Sequence, residues 1–120
     1  MKIAVSAQGS DMSSPVDPRF GRAKYFIVVD TETGVHEAHD NTLNLNALQG
    51  AGIQSAKNVA DLGVGAILSG NVGPKAFSVL STAGIDIYIG ATGTVNDAVK
   101  AFKEGRLEKV GKANVEGHWM

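Results

Sequence analysis

Residues 65–94 read GAILSGNVGPKAFSVLSTAGIDIYIGATGT, and the fold turns on this stretch. Ala66-Ile67-Leu68 and Ile85-Asp86-Ile87-Tyr88-Ile89 are apolar runs of the length a buried parallel strand needs. Each leads into a turn with two glycines, Gly70-Asn71-Val72-Gly73 and Gly90-Ala91-Thr92-Gly93, and each turn opens a helix. The first helix starts at Pro74, suited to the first helical position because the N–H it lacks would be unpaired there anyway. Phe77, Leu80 and Ala83 precede its stop at Gly84. The second opens with Thr94 as N-cap and Asp97 three residues on, a capping-box layout with Asp in place of the usual Glu or Gln. Val95, Ala98, Val99 and Phe102 make its apolar face, and Gly105 ends it. Parallel strands joined by right-handed helical crossovers put both turns at one sheet edge. Both helix N-termini then offer unpaired N–H groups and positive dipole ends to that edge, an expected shelf for an anion.

Outward from this unit, Lys2 to Ser6 is mostly apolar and fits a central first strand. The connection over 7–22 holds Gly9, Asp11, Ser13, Ser14, Pro15, Asp17 and Pro18; a loop of that length in a compact domain is usually functional or mobile. Tyr25-Phe26-Ile27-Val28-Val29-Asp30 is the clearest β segment. Thr31-Glu32-Thr33-Gly34 makes a turn, and 35–40 returns as a more polar antiparallel partner at the sheet edge. Residues 41–46 read as an asparagine-rich loop. A helix over 50–62 places Ile53, Ala56, Val59 and Ala60 on one face, with Gly63 as its stop. Residues 106–120 read as a short, loosely packed tail. The expectation is one α/β domain over 1–120 with a mixed five-stranded sheet, helices on both faces and the first strand central. That three-layer arrangement resembles the ribonuclease H-like architecture, which by itself assigns no function.

Composition removes several classes of function. The formal charge of −1 gives no bulk attraction to nucleic acid or an anionic membrane. With no cysteine there are no disulfides, thiolate-bound metals or thiol nucleophiles. No window approaches a membrane span of roughly 20 apolar residues, and Met1-Lys2-Ile3-Ala4-Val5 enters a strand without a signal-peptide layout, so a cytoplasmic protein is expected.

Chemistry then has few places to sit. A nuclease needs carboxylates for divalent metal, often starting on the first strand, and Lys2 to Ser6 has none; Asp86 has no acidic companion. Ser69, Ser78 and Ser81 lack a recognisable base, so a catalyst is not expected. His36 and His39 are three apart on a strand and point to opposite faces, a poor metal pair; His118 with Met120 in the tail, and Met12 in the long loop, more simply read as a loose end and as gap-filling. The remaining constellation is Asp17-Pro18-Arg19-Phe20-Gly21-Arg22-Ala23-Lys24, three cations around a Phe-Gly turn. Arginine recognises oxyanions through planar, multidentate hydrogen bonds, although solvated loop charge is the plainer account of such residues. The paired glycine turns likewise either turn the chain or floor a site; two in equivalent places favour the site.

These stretches resemble the dinitrogenase iron–molybdenum cofactor-binding family, and in particular its stand-alone single-domain members. The matching segments are Val16-Asp17-Pro18-Arg19-Phe20-Gly21-Arg22 running into Tyr25-Phe26, then Gly50-Ala51-Gly52-Ile53-Gln54, Ser69-Gly70-Asn71-Val72-Gly73-Pro74-Lys75-Ala76-Phe77 and Gly90-Ala91-Thr92-Gly93-Thr94-Val95. The resemblance spans about residues 2–107. It implies a non-catalytic carrier for an anionic metal–sulfur cluster containing molybdenum with iron or copper, partnered by cofactor-assembly or acceptor proteins. By position it implies Arg19, Phe20, Gly21 and Arg22 as one wall, Gly70, Asn71, Val72, Gly73 and Pro74 as the floor, and Gly90, Ala91, Thr92, Gly93 and Thr94 as the far rim. Some relatives use His or Cys near these loops; Asn71 and Val72 stand in the turn here, so the cluster is expected to be held mainly without coordinate bonds. The alternative is a small module binding a nucleotide or sugar phosphate on the same shelf, against which stands the absence of a P-loop or G-x-G-x-x-G fingerprint.

Overall fold

In the computed structural model, which describes residues 1–42 and 50–111, one mixed sheet carries helices on both faces. The strands are β1 (Lys2–Ala7), β2 (Tyr25–Asp30), β3 (His36–Asp40), β4 (Ala66–Leu68), β5 (Asp86–Ile89) and β6 (Glu108–Lys109). The helices are α1 (Ala51–Ala60), α2 (Pro74–Thr82) and α3 (Val95–Lys103), with a 3-10 turn at Phe20–Arg22. Sheet order is β3-β2-β1-β4-β5-β6. β1 is central as expected, antiparallel to β2 and parallel to β4, and β4 and β5 are the parallel pair flanking α2. β3 takes one edge: it is polar and almost wholly exposed, and the turn before it closes with Gly34 at φ 79° donating to the Asp30 carbonyl.

Among the described residues the sheet has six strands, not five. Residues at the start of the anticipated tail add β6 antiparallel to β5, pairing Tyr88 with Lys109 and Ile89 with Glu108. An edge strand of two exposed residues carries no apolar alternation of its own. Its anchors are the flanking residues: Leu107 packs against one core cluster and Val110 against the other, while Lys109 Nζ lies 3.5 Å from Asp86 Oδ1. From residue 112 the anticipated tail, with His118 and Met120, lies outside the described residues, as does most of the anticipated loop over 41–46.

Alternation along the strands divides the core in two. Ala4, Phe26, Val28, Ile67 and Ile87 face α1 and α2, where Ala56, Val59, Ala76 and Leu80 meet them. Ile3, Val5, Ile27, Val29, Ala66 and Leu68 face α3 through Val95, Ala98 and Val99. The Tyr88 and Phe102 rings meet edge-on at 5.0 Å and fasten α3 over β5. Opposite faces of one pleated sheet thus bury separate apolar sets, which keeps the β1, β4 and β5 strand ends in register with the loops that follow them.

Candidate functional site

Two loops are laced together beyond the ends of β1 and β4. The Asn71 N–H donates to the Pro18 carbonyl at 2.8 Å and the Phe20 N–H donates to the Asn71 carbonyl at 3.2 Å, so residues 18–20 and 71 pair as a short parallel bridge. Beneath them Ser6 and Ser69, both fully buried, stand with their Oγ atoms 2.9 Å apart. Ser6 Oγ also donates to the Asp17 carbonyl at 2.8 Å, and Ser69 Oγ to the Asn71 carbonyl at 3.3 Å. Gly70 is required by this contact: a Cβ there would lie 2.7 Å from Pro18 Cα.

A second clamp fixes the Phe-Gly turn against α1. Buried Asn41 donates from Nδ2 to the Ala23 carbonyl at 2.9 Å and to Ser55 Oγ at 3.0 Å. Gly21 lies so close to α1 that a Cβ on it would stand 2.8 Å from Gly52 Cα. The Phe20 ring is 2% exposed and tilts onto Phe26 with centroids 5.0 Å apart.

Between these clamped loops and the start of α2 lies an open cleft of about 340 Å³, lined by Arg19, Phe20, Gly21, Gly52, Asn71, Gly73, Pro74, Lys75 and Ala76. Its walls are largely apolar, with a guanidinium and an ammonium beside them. α2 starts without a side-chain cap and with Pro74 at its first position. Among the described residues the N–H groups of Lys75 and Ala76 meet no acceptor. That leaves a donor pair at the positive end of the helix dipole, in the cleft wall.

The second turn is built otherwise. Gly90-Ala91 hydrogen-bonds to the first turn, Gly90 N–H to the Gly70 carbonyl at 3.2 Å and Ala91 N–H to the Ser69 carbonyl at 3.1 Å. The α3 N-terminus, however, does not offer the unpaired N–H groups expected of it. Thr94 N–H donates to Asp97 Oδ2 at 2.9 Å, and Asp97 N–H to Thr94 Oγ1 at 3.1 Å, completing the capping box. The N–H groups of Val95 and Asn96 donate to the Ser14 and Met12 carbonyls of the long loop at 3.0 and 2.9 Å. The loop over 7–22 is therefore partly a latch on α3, and Met12 packs against the α3-side core. Asp97 adds a carboxylate held below its ordinary range, first by the Thr94 N–H and then by the Thr94 side chain, with Lys100 and Arg106 adding a smaller pull. Gly90, Thr92 and Gly93 line a separate cleft of about 370 Å³ with Asp97, Lys100 and Arg106.

The anticipated residues thus separate. Arg19, Phe20, Gly21, Asn71, Gly73 and Pro74 come together around one cleft. Val72 and Ala91 have buried side chains in the two cores and give the turns only their backbone. Exposed Arg22 sits in the 3-10 turn but is not among the cleft-lining residues. The structure adds Gly52, Lys75 and Ala76, which the sequence reading did not assign to a site although the Gly50-Ala51-Gly52 and Pro74-Lys75-Ala76 segments were visible in it. The close Gly21–Gly52 approach explains why two unrelated glycines belong to one place. His39 lies 3.1 Å from Glu37 on the β3 edge, and no group of three or more potential metal-ligating side chains occurs among the described residues.

Residues 1–105 match the dinitrogenase iron-molybdenum cofactor family. The chain belongs to that family. An uncharacterized protein of Methanocaldococcus jannaschii in the same class of size is 40% identical over 112 residues, 91% of either chain. The fold is similar to the apo form of the orange protein of Desulfovibrio gigas, at 42% identity and a TM-score of 0.92, covering 95% of this chain and 96% of that one. A Thermotoga protein placed with NifB is 40% identical with a TM-score of 0.83, covering 97% and 98%. These two relatives are stand-alone members of the family, and no helix among the described residues is long and apolar enough to cross a membrane.

Proposed function

We propose that this family member is a carrier, not a catalyst, for an anionic metal–sulfur cluster built on molybdenum with iron or copper as second metal. The reading rests on one observation: an apolar-walled cleft that also holds Arg19, Lys75 and two helix N–H groups that meet no acceptor among the described residues. Hard, hydrated oxyanions are best met by many polar donors, whereas a bulky sulfide-rich anion loses less hydration and gains dispersion against exposed Pro74. The cleft size suits a small guest. Arg19 and Lys75 supply charge, the Lys75 and Ala76 N–H groups supply direction, and the Gly21 and Gly73 backbones allow close approach. No cysteine is present and no ligand cluster is found among the described residues, so the guest is held by charge, hydrogen bonds and packing rather than by protein-to-metal bonds. Cofactor-assembly and acceptor proteins are the partners such a carrier serves.

The test is anaerobic incubation with tetrathiomolybdate and Cu(I) or Fe(II), followed by gel filtration. Colour and molybdenum coeluting with the protein, and lost when Arg19 is replaced by Ala, support the reading. Thermal stabilisation by nucleotides or sugar phosphates with none from thiometallates replaces it with a phosphate-binding module.

A further inference from the structure

Asp17 is the only charged side chain buried among the described residues, at 4% exposure. β1 holds its backbone from both directions: its N–H donates to the Ser6 carbonyl at 2.9 Å, and its own carbonyl accepts from Ser6 Oγ at 2.8 Å. Its carboxylate has a sparse set of partners. Oδ1 accepts the Arg19 N–H at 2.9 Å and lies 3.8 Å from Arg19 Nε. Among the described residues no other donor and no other cation reaches it. A buried carboxylate is ordinarily kept ionised by several N–H donors or a contacting ammonium, because removing it from water is costly.

An asparagine at this position would accept the same Arg19 N–H without a charge. What only the carboxylate adds is its field on the Arg19 guanidinium, whose side chain is 68% exposed and lines the cleft. We infer that Asp17 is a built-in counter-ion for Arg19. It holds the guanidinium at the rim while the cleft is empty and competes with the arriving anion for that guanidinium once the cleft is filled, which weakens retention and lets the guest leave. Being buried, its charge is screened less than that of a surface carboxylate such as Glu104 beside Arg106. Such tuning suits a carrier, whose guest has to be surrendered as well as caught. This inference rests on the anion-cleft reading above.

The experiment is a double-mutant cycle on the full chain. Wild type, D17N, R19Q and D17N/R19Q are titrated anaerobically with tetrathiomolybdate, with and without Cu(I), at low salt. D17N should bind about two- to fivefold more tightly than wild type and release correspondingly more slowly, the range expected for an ion pair with one exposed partner. In the R19Q background the gain from D17N should vanish. A D17N protein that binds equally or more weakly overturns the inference, and so does a gain that persists undiminished without Arg19, because that reports only a general field. A separate measurement on the wild type needs no variant to fold: the Arg19 Nε–H resonance should move on loading while that of Arg106 stays, and an unmoved Arg19 resonance at saturation overturns the inference. Failure of the wild type to take up thiomolybdate at all defeats the cleft reading itself and this inference with it; normal uptake with unchanged D17N affinity defeats this inference alone.

Discussion

The turns after β4 and β5 look equivalent in sequence, each a pair of glycines between a strand and a helix, yet the molecule finishes them in opposite ways. After β4 the helix starts at a proline with no side-chain cap, and the N–H groups of Lys75 and Ala76, beside a cleft, meet no acceptor among the described residues. After β5 the four N–H groups from Thr94 to Asp97 are all consumed, two by a capping box and two by carbonyls of the long loop, and a carboxylate sits on the dipole end. The lesson is that a glycine turn before a helix makes an anion site only if the protein refrains from capping it. On the proposed reading, one turn is a floor and the other a buttress.

Six substitutions separate these roles. The largest effect is expected at Gly70→Ala, where a Cβ would stand 2.7 Å from Pro18 Cα and 2.8 Å from the Pro18 carbonyl oxygen. Forcing those loops apart should cost about 1–3 kcal/mol in denaturant unfolding and abolish cluster uptake. Gly90→Ala meets nothing within 4 Å but has φ +84°, so it should cost only the left-handed strain, about 1–2 kcal/mol, and leave uptake intact. Second, Arg19→Gln should weaken thiomolybdate binding about tenfold, whereas Lys100→Gln in the other cleft should not change it. Equal losses at Arg19 and Lys100 would erase the distinction between the two clefts.

Third, Thr94→Ala should lower stability by about 1 kcal/mol through the lost cap, with no change in uptake. The smallest effect concerns Asp97. Its folded-state pKa is depressed below the ordinary 3.8, so its contribution to stability is present above that value and fades as pH falls through the lowered folded value. The melting-temperature difference between wild type and Asp97→Asn should therefore be constant near neutrality and shrink below about pH 4. A difference that grows in acid would contradict the capping role of the carboxylate.

Much of this arrangement was legible in the chain itself. Residues 66–68 and 85–89 had the apolar runs of buried strands, Pro74 and Thr94 marked their helix starts, and the polar HEAHD strand announced an edge. The capping box was visible too, and its consequence was the part overlooked: a Thr94–Asp97 pair that caps the helix also closes it to a guest. The latch from Ser14 and Met12 to α3 had no local signal, because backbone carbonyls of a loop carry no sequence signature. β6 escaped because two charged residues on an exposed edge obey no period; its anchors Leu107 and Val110 pack to opposite sides of the sheet. Gly52 and Lys75 stood in visible segments but join the cleft only through tertiary approach. Of the three loops gathered as one shelf, the fold brings the Arg19-Phe20-Gly21 and Asn71-Val72-Gly73-Pro74 stretches around one cleft and sets Gly90-Ala91-Thr92-Gly93-Thr94 behind them.

The difference between the two helix starts can be read directly by amide NMR during anaerobic titration of the full chain with tetrathiomolybdate and Cu(I). The amides of Gly21, Lys75 and Ala76 should shift strongly and saturate together, while those of Thr94, Val95, Asn96 and Asp97 stay in place. Saturable shifts centred on the α3 start, with Lys75 and Ala76 unmoved, would contradict the account.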